Sequence, residues 1–189
     1  MIKNRILAAC AFALAIAFHV GAHAQEEEYY NEGTIRPTDI PRDAPRFDSY
    51  PAAVYAGVNA KPRLDPGEEY RTRIRQWAVE KPNFAGHYIL ANWGCGTECL
   101  MIVIIDAKTG KVFHPGGVMS VSANQVHDDL MVGEPKWPNT GPLKFRANSR
   151  LLVLLGAPEE DEKRRGISYF VWRNDELSLV RFVPKAWKR

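Results

Sequence analysis

The chain has 189 residues, a formal net charge of +3 and 46% hydrophobic residues. These values are typical of one globular domain. Basic and acidic residues nearly balance over most of the chain, whereas a nucleic-acid-binding domain usually carries a concentrated basic face. We therefore expect no nucleic-acid partner.

The first 24 residues have the three parts of a secretory signal peptide. Lys3 and Arg5 form a positive start, residues 6–20 are uncharged and largely apolar, and Ala22 and Ala24 provide the small residues of a cleavage site. The pattern predicts that residues 1–24 are removed by cleavage near Ala24. The mature protein would then be periplasmic or secreted.

Two other interpretations of this segment are weaker. A membrane anchor needs roughly 20 apolar residues, but this stretch is shorter and contains His19. A lipoprotein signal ending at Cys10 would leave only residues 6–9 as its apolar region, less than the roughly 7–15 residues usually found. The longest aliphatic runs of the mature chain are also short, so we predict no transmembrane segment there.

Residues 25–64 are predicted to form an irregular or disordered N-terminal arm, because acidic residues and prolines dominate their first half. Residues 65–189 are predicted to be a single α+β domain. Its first element is a helix with Asp65 as the N-cap and Pro66 in the first position. Ile74 and Trp77 belong to an apolar stripe at helical spacing, which makes this helix amphipathic.

The remaining elements are predicted to be strands. Two continuous apolar runs, residues 99–105 and 151–155, are typical of strands buried on both faces. Asn174 and Asp175 separate two further strands and indicate a hairpin. The fold class that follows is α+β: an antiparallel β-sheet of about five to seven strands packed by one amphipathic helix. The predicted strands are 84–93, 99–105, 111–113, 143–145, 151–155, 167–173 and 177–183.

Two of the predicted strands are joined by a loop that contains Cys95 and Cys99. These are the only cysteines of the mature chain, and in an exported protein such a pair predicts a disulfide bond. The bond would close a very short loop, so its main effect would be to fix the shape of the turn.

Three other roles for the cysteines stay open. A redox centre is one, although the Cys-x-x-x-Cys spacing differs from the thioredoxin-like Cys-x-x-Cys. A zinc site would combine Cys95 and Cys99 with two of His87, His114 and His127, which lack the usual close pairing. A cysteine nucleophile with a histidine base is the third.

Nothing in the chain identifies catalytic residues. It has no serine nucleophile elbow, His-Glu-x-x-His pair, phosphate loop or dinucleotide fingerprint. We predict no cofactor and no metal. His127 with Asp128 and Asp129 could hold a small cation, but these residues fit a helix start or polar loop more simply. Asp106 is expected to hydrogen-bond within its own turn.

The segment of residues 84–112 resembles a family of uncharacterised exported bacterial proteins. Their mark is a Trp-Gly-Cys-Gly-Thr-x-Cys loop, present here at residues 93–99, followed by an Ile-Asp-x-x-Thr-Gly turn at residues 105–110. The resemblance implies that the domain is a recurring unit. It implies no activity.

The sequence favours an exported binding module that presents the disulfide-stapled loop to a protein or envelope ligand through Trp93, Thr97 and Glu98. Trp93 is included because a rigid aromatic side chain is a common binding anchor. The alternative is a thiol-disulfide or hydrolytic enzyme that uses Cys95, Cys99 and His87. A structural envelope component is a third hypothesis.

Overall fold

The structure is a computed structural model that describes residues 30–133 and 139–186. The predicted signal peptide, residues 1–24, lies outside the described residues. Among the residues that are described, no helix is both long and apolar enough to cross a membrane.

Eight strands form one antiparallel sheet. The main path through the sheet is β1-β2-β4-β6-β7-β8, while β3 pairs with β2 and β5 pairs with β6. The strands are β1 Tyr88–Gly96, β2 Cys99–Asp106, β3 Val112–Phe113, β4 Ser120–Ser122, β5 Leu143–Phe145, β6 Leu151–Pro158, β7 Gly166–Arg173 and β8 Glu176–Pro184.

The two halves of the sheet pack against each other around a shared core. Leu90 of β1 and Ile104 of β2 belong to the same buried cluster as Leu152 of β6 and Trp172 of β7. Because side chains alternate across a strand, the neighbouring residues point to the outer faces. β2 and β6 are therefore buried on both sides, as their continuous apolar sequences predict.

A helix, α1 (Arg71–Trp77), covers one outer face. Ile74 and Ala78 pack on Ile89 and Val103 of the β1–β2 hairpin. This is the amphipathic helix that the sequence predicts, but it begins later. Tyr70 occupies the N-cap position, and residues 65–70 form turns in which the Arg71 guanidinium donates to the carbonyl oxygens of residues 65, 66 and 68.

The N-terminal arm covers the other outer face. It has no regular strand, yet Ile35 and Phe47 are buried against β6 and β7. Arg165, only 2% exposed, ties the arm down by donating to the carbonyl oxygen of Gly33 and to those of Asn124, Gln125 and Lys185. Burial lowers the pKa of Arg165. The arm thus serves as a packing layer of the domain.

The predicted count of five to seven strands and one helix is wrong in detail. The described residues contain eight strands and a second helix, α2 (Asp128–Met131), of four residues. The strand that the sequence misses is β4, which has only three residues. An element this short shows no periodicity, so only its pairing with β2 and β6 defines it.

β4 and β6 approach each other closely at Gly156, which has φ 125°. A Cβ atom at this position would lie 2.0 Å from the carbonyl oxygen of Ser122. Any other residue would push the strands apart. This contact brings the end of β6 and its following turn close to the start of β2, where the cysteine loop lies.

Candidate functional site

The β1–β2 hairpin ends in a two-residue turn, Thr97 and Glu98. Regular pairing runs from Tyr88 opposite Asp106 to Gly94 opposite Leu100, and Gly96 then pairs with Cys99. Cys95 is the extra residue of a bulge at this point. Glu98 adopts φ 55° and Gly96 φ 153°, and the lack of a side chain at Gly96 makes the tight reversal accessible.

Cys95 and Cys99 form the predicted disulfide bond, with their Cα atoms 5.2 Å apart. The bond joins the bulge of β1 to the first residue of β2, so it closes the turn on itself. A loop this short limits the entropic stabilisation to about 2 kcal/mol. A disulfide is compatible with an oxidising, extracytoplasmic location.

The tip projects from the folded core. Residues 94–98 are all exposed, whereas Ala91 on the same strand is fully buried. One side of the tip is attached to the body, because the Ala123 N–H donates to the carbonyl oxygen of Glu98 at 2.7 Å. The result is an exposed segment whose backbone is held covalently and by a hydrogen bond.

A second turn lies beside the tip. The Glu160 carboxylate is 3.6 Å from Cys99 Sγ, and the Glu159 N–H donates to the carbonyl oxygen of Ser120 at 2.8 Å. Residues 159–165 are all charged, and from the sequence such a run predicts only a solvated loop. Cys99 and Glu160 are 61 residues apart, and no local pattern brings them together. Their proximity arises from the pairing of β2, β4 and β6.

The three predicted binding residues do not share one surface position. Thr97 and Glu98 occupy the tip, whereas Trp93, which pairs with Met101 just before the tip, is half-buried. The Trp93 ring packs against Tyr70, which precedes α1, with ring centroids 5.4 Å apart. Trp93 therefore joins the hairpin to the helix layer and is only partly accessible.

His87 and Cys95, the pair of the enzymatic hypothesis, are at opposite ends of β1. Eight residues of extended chain separate them, which corresponds to about 26 Å. The nearest carboxylate to His87 is that of Asp106, at 3.8 Å from Nε2. Burial nevertheless lowers the pKa of His87, the Asp106 charge opposing this shift. The structure does not bring the histidine and the cysteine together.

The other two histidines that the sequence offers as zinc ligands have other partners. His114 contacts the Glu68 carboxylate at 2.9 Å. His127 caps α2, since the Asp129 N–H donates to its Nδ1, and its ring stacks on Tyr30. The helix-start interpretation of His127 is thus confirmed. Within residues 30–133 and 139–186, no group of three or more His, Cys, Asp or Glu side chains is arranged to hold a metal ion.

Asp106 plays the local role that the sequence predicts. Its carboxylate accepts hydrogen bonds from the N–H of Lys108 and from both the N–H and the hydroxyl of Thr109. This Asx-type turn closes the end of β2 opposite to the cysteine tip. It explains the Ile-Asp-x-x-Thr-Gly pattern as turn chemistry.

Neither a protein-family model, nor a curated protein, nor a solved structure matches this chain. The resemblance of the cysteine loop to exported bacterial proteins therefore stays a prediction.

Proposed function

We propose that this protein is an exported binding module and that the tip of the β1–β2 hairpin contacts a protein or envelope ligand. The observation that carries the proposal is the run of five exposed residues, 94–98, held in one shape by the disulfide bond. A pre-shaped loop loses little conformational entropy when it binds, so more of its contact energy becomes affinity.

The charge of the tip suggests what the ligand carries. Glu98 is part of the tip, and Glu159 and Glu160 follow β6 directly beside it. Acidic groups at a contact surface favour a partner with a basic patch and speed its association. Thr97 adds a hydroxyl group, and the half-buried Trp93 adds an apolar contact next to the tip.

The proposal is tested by site-specific photo-crosslinking in the exported protein. A benzoylphenylalanine placed at position 97 is expected to give a defined covalent adduct, and Glu98→Lys is expected to reduce its yield several-fold. The matched controls are the same probe at Leu179, an exposed position on β8 at the other end of the strand path from β1, and the variant Glu176→Lys, which makes the same charge change at the other exposed hairpin.

Equal adduct yields at positions 97 and 179 would contradict the proposal, as would equal losses from Glu98→Lys and Glu176→Lys. Intact-mass analysis of the same preparation also tests the predicted export. Removal of residues 1–24 supports cleavage near Ala24, and an uncleaved or acylated chain contradicts it.

One observation favours a second candidate function, disulfide exchange. Cys95 is exposed at the tip, so a thiolate of another protein can reach the bond. Attack on one sulfur would form a mixed disulfide and release the other as a thiolate. Exposed disulfides are more readily exchanged than buried ones. Titration in glutathione buffers tests this: opening at mild potentials supports exchange, whereas persistence under strongly reducing conditions supports a structural bond.

A further inference from the structure

β1 lies at one end of the strand path, so only one of its two edges pairs with another strand, β2. Leu90 shows which backbone groups of β1 point away from β2. Its N–H donates to the side chain of Asn83 at 2.7 Å, and its carbonyl oxygen accepts from the same side chain at 3.2 Å. Inward and outward groups alternate along a strand. The N–H and C=O groups of Asn92 and Gly94 therefore also point outward.

The first half of this outer edge is closed within the domain. The Asn83 amide bonds to Leu90 as the peptide group of a neighbouring strand would. The Tyr88 N–H donates to the carbonyl oxygen of Phe84 at 3.0 Å, and the Tyr88 carbonyl oxygen accepts from the N–H groups of Asn83 and Phe84. Unpaired edge groups invite pairing with another chain, and local bonds of this kind prevent it.

The second half of the outer edge is open. Within residues 30–133 and 139–186, no group outside β2 forms a hydrogen bond with the backbone of Asn92 or Gly94. Gly94 is exposed, and a Cβ atom at this position would meet no atom beyond its chain neighbours within 4 Å. The closed part of the edge thus ends directly before the tip, and the open part adjoins it.

The edge at the other end of the strand path, along β8, has features that discourage pairing. Val180 is the extra residue of a bulge in this strand, and the neighbouring Arg181 is paired with the Asp43 carboxylate at 3.0 Å. Bulges and charged side chains commonly protect edge strands. Residues 91–94 of β1 carry no charge and keep regular pairing with β2. The open part of β1 is therefore the better template for an additional strand.

We propose that an extended segment of a partner protein adds to the sheet as a further strand along Asn92 and Gly94. This inference rests on the proposed function, because it describes how the partner of the tip is held. The outward N–H and C=O groups of the two residues each form a hydrogen bond with the added strand. Sheet edges bind extended peptides in this way, with affinity from the main chain and specificity from neighbouring side chains.

The neighbouring side chains indicate which segments fit. Trp93 lies between the two open residues and is half-buried, so an apolar side chain of the added strand packs beside it. Glu98 adjoins the open edge, and the Glu160 carboxylate is 3.6 Å from Cys99 Sγ at the same tip. Residues 82–107 contain no lysine or arginine. The preferred segment therefore alternates apolar residues along the edge and carries a basic residue near the tip.

A second copy of this chain fits the open edge less well. In an antiparallel pair of two copies centred on Trp93, the tip of each copy would lie along the closed half of the other, where Asn83 and Phe84 occupy the edge. A separate segment can turn away from the edge at that point. The geometry thus favours a partner protein.

Hydrogen exchange of the full mature chain, resolved by residue, tests whether the edge is open. The amides of Asn92 and Gly94 are expected to exchange at least about tenfold faster than that of Leu90. Asn83→Ala is expected to raise the rate of Leu90 towards theirs, because it removes the side chain that accepts from this N–H. Equal protection of Leu90 and Asn92 in the wild type would contradict the open edge.

Selection of a random phage-displayed peptide library against the full mature chain tests the occupant. Peptides rich in basic residues are expected to be enriched. In one such peptide, N-methylation of every second amide should abolish binding, whereas N-methylation of the intervening amides should leave it intact. Only every second N–H of an added strand faces β1. A scrambled peptide of the same composition is the control for charge alone.

Gly94→Pro and its matched control Gly94→Ala separate the hydrogen bond from the added side chain. Proline removes the outward N–H and leaves the pairing with β2 intact, as edge positions allow. Alanine keeps the N–H and fits the open space at this position. Peptide affinity is expected to fall about tenfold or more in Gly94→Pro and less than about twofold in Gly94→Ala. Circular dichroism checks the fold, and Asn92→Pro with Asn92→Ala repeats the test if Gly94→Pro does not fold.

Several results would overturn the proposal: a library without binders, N-methyl effects that do not alternate, or equal affinities of the two Gly94 variants. A dimer of the free chain that Gly94→Pro disrupts would assign the edge to a second copy instead. Peptides that lose affinity in Glu98→Lys but not in Gly94→Pro would support the tip contact and exclude the added strand. The reverse result would support the added strand and contradict the role of the tip.

Discussion

Two hairpins of this domain are stabilised in different ways. The β7–β8 hairpin turns at Asn174 and Asp175 and rests on the body, where Asp175 accepts from the Tyr88 hydroxyl and pairs with Lys111 at 2.9 Å. Trp172, two residues before this turn, packs edge-on against the rings of Tyr88 and Phe113. The β1–β2 hairpin instead extends beyond the core and closes its turn with a disulfide bond.

The difference shows what a projecting loop requires. Residues 173–176 of the β7–β8 turn are exposed as well, but the contacts of Asp175 with Tyr88 and Lys111 order this turn without a covalent link. The residues at the β1–β2 tip are exposed and bury almost no apolar area, so the disulfide and the hydrogen bond to Ala123 replace that contribution. A surface that keeps its shape without being covered is suited to binding.

Among these changes, Trp172→Ala should have the largest effect on the stability of the domain. The side chain is 3% exposed and links the β7–β8 hairpin to the central core, so its removal is expected to lower the free energy of unfolding by about 3–5 kcal/mol. Urea denaturation measures the loss. Leu179→Ala on β8, where the side chain is 54% exposed, is the control and should cost less than about 1 kcal/mol.

Tyr169 on β7 predicts a loss of stability at alkaline pH. Its hydroxyl is buried without a hydrogen-bond partner among the described residues, and burial raises its pKa from 10.0 to about 12. Between these two values the unfolded state releases the phenol proton while the folded state keeps it, so stability falls as the pH rises. The expected loss is about 2–3 kcal/mol once the pH exceeds both values and about half of that at pH 11.

Tyr169→Phe should remove this component of the pH dependence. At neutral pH the variant is expected to be as stable as the wild type or slightly more stable, because an unpaired buried hydroxyl is lost. Urea denaturation of both proteins at pH 9 and pH 11 checks the difference. Parallel curves would contradict the assignment to Tyr169.

Removing the disulfide with Cys95→Ser and Cys99→Ser should cost about 2 kcal/mol. A more specific prediction concerns which residues exchange their amide hydrogens faster. Hydrogen exchange should accelerate at residues 94–99 through local opening, because the bond directly constrains the tip. In β6 and β7 the acceleration should not exceed the roughly 30-fold that corresponds to a loss of about 2 kcal/mol in global stability. A larger acceleration in the core would show that the disulfide also holds the packing of the sheet.

Asp175→Asn should have the smallest effect, at most about 1 kcal/mol, since its ion pair with Lys111 is exposed. Asparagine accepts the positive φ of 62° at this position, so the change removes charge and preserves the turn. Added salt should reduce the difference from the wild type. A salt-independent loss would mean that Asp175 acts through the turn rather than through its charge.

The sequence predicts an element well when the residues that define it are neighbours in the chain. Continuous apolar residues indicate β2 and β6, Asn174 and Asp175 indicate a hairpin, and a cysteine pair in an exported chain indicates the disulfide. It fails where no local signal exists. The helix is predicted to start after Asp65, whereas α1 begins at Arg71 because turns precede it. β4 is missed because three residues are too few to show a period.

The residues of the candidate site also divide into those grouped by the sequence and those brought together only by the fold. Cys95, Cys99, Thr97 and Glu98 are neighbours along the chain, so the sequence could group them. Glu160 reaches Cys99 only through strand pairing, and Trp93 turns towards Tyr70 because strand alternation and the helix layer direct it there. Exposure of an aromatic residue depends on what packs above it, which a single strand cannot indicate.

By itself, the sequence determined the buried strands, the apolar side of the helix, the hairpin turns and the disulfide pairing, because each depends on residues a few positions apart. The tertiary structure alone decided the sheet order, the packing of the N-terminal arm and the approach of Glu160 to the cysteine loop. These features join segments that are distant in the chain, and their stability comes from contacts that exist only after the sheet has folded onto itself.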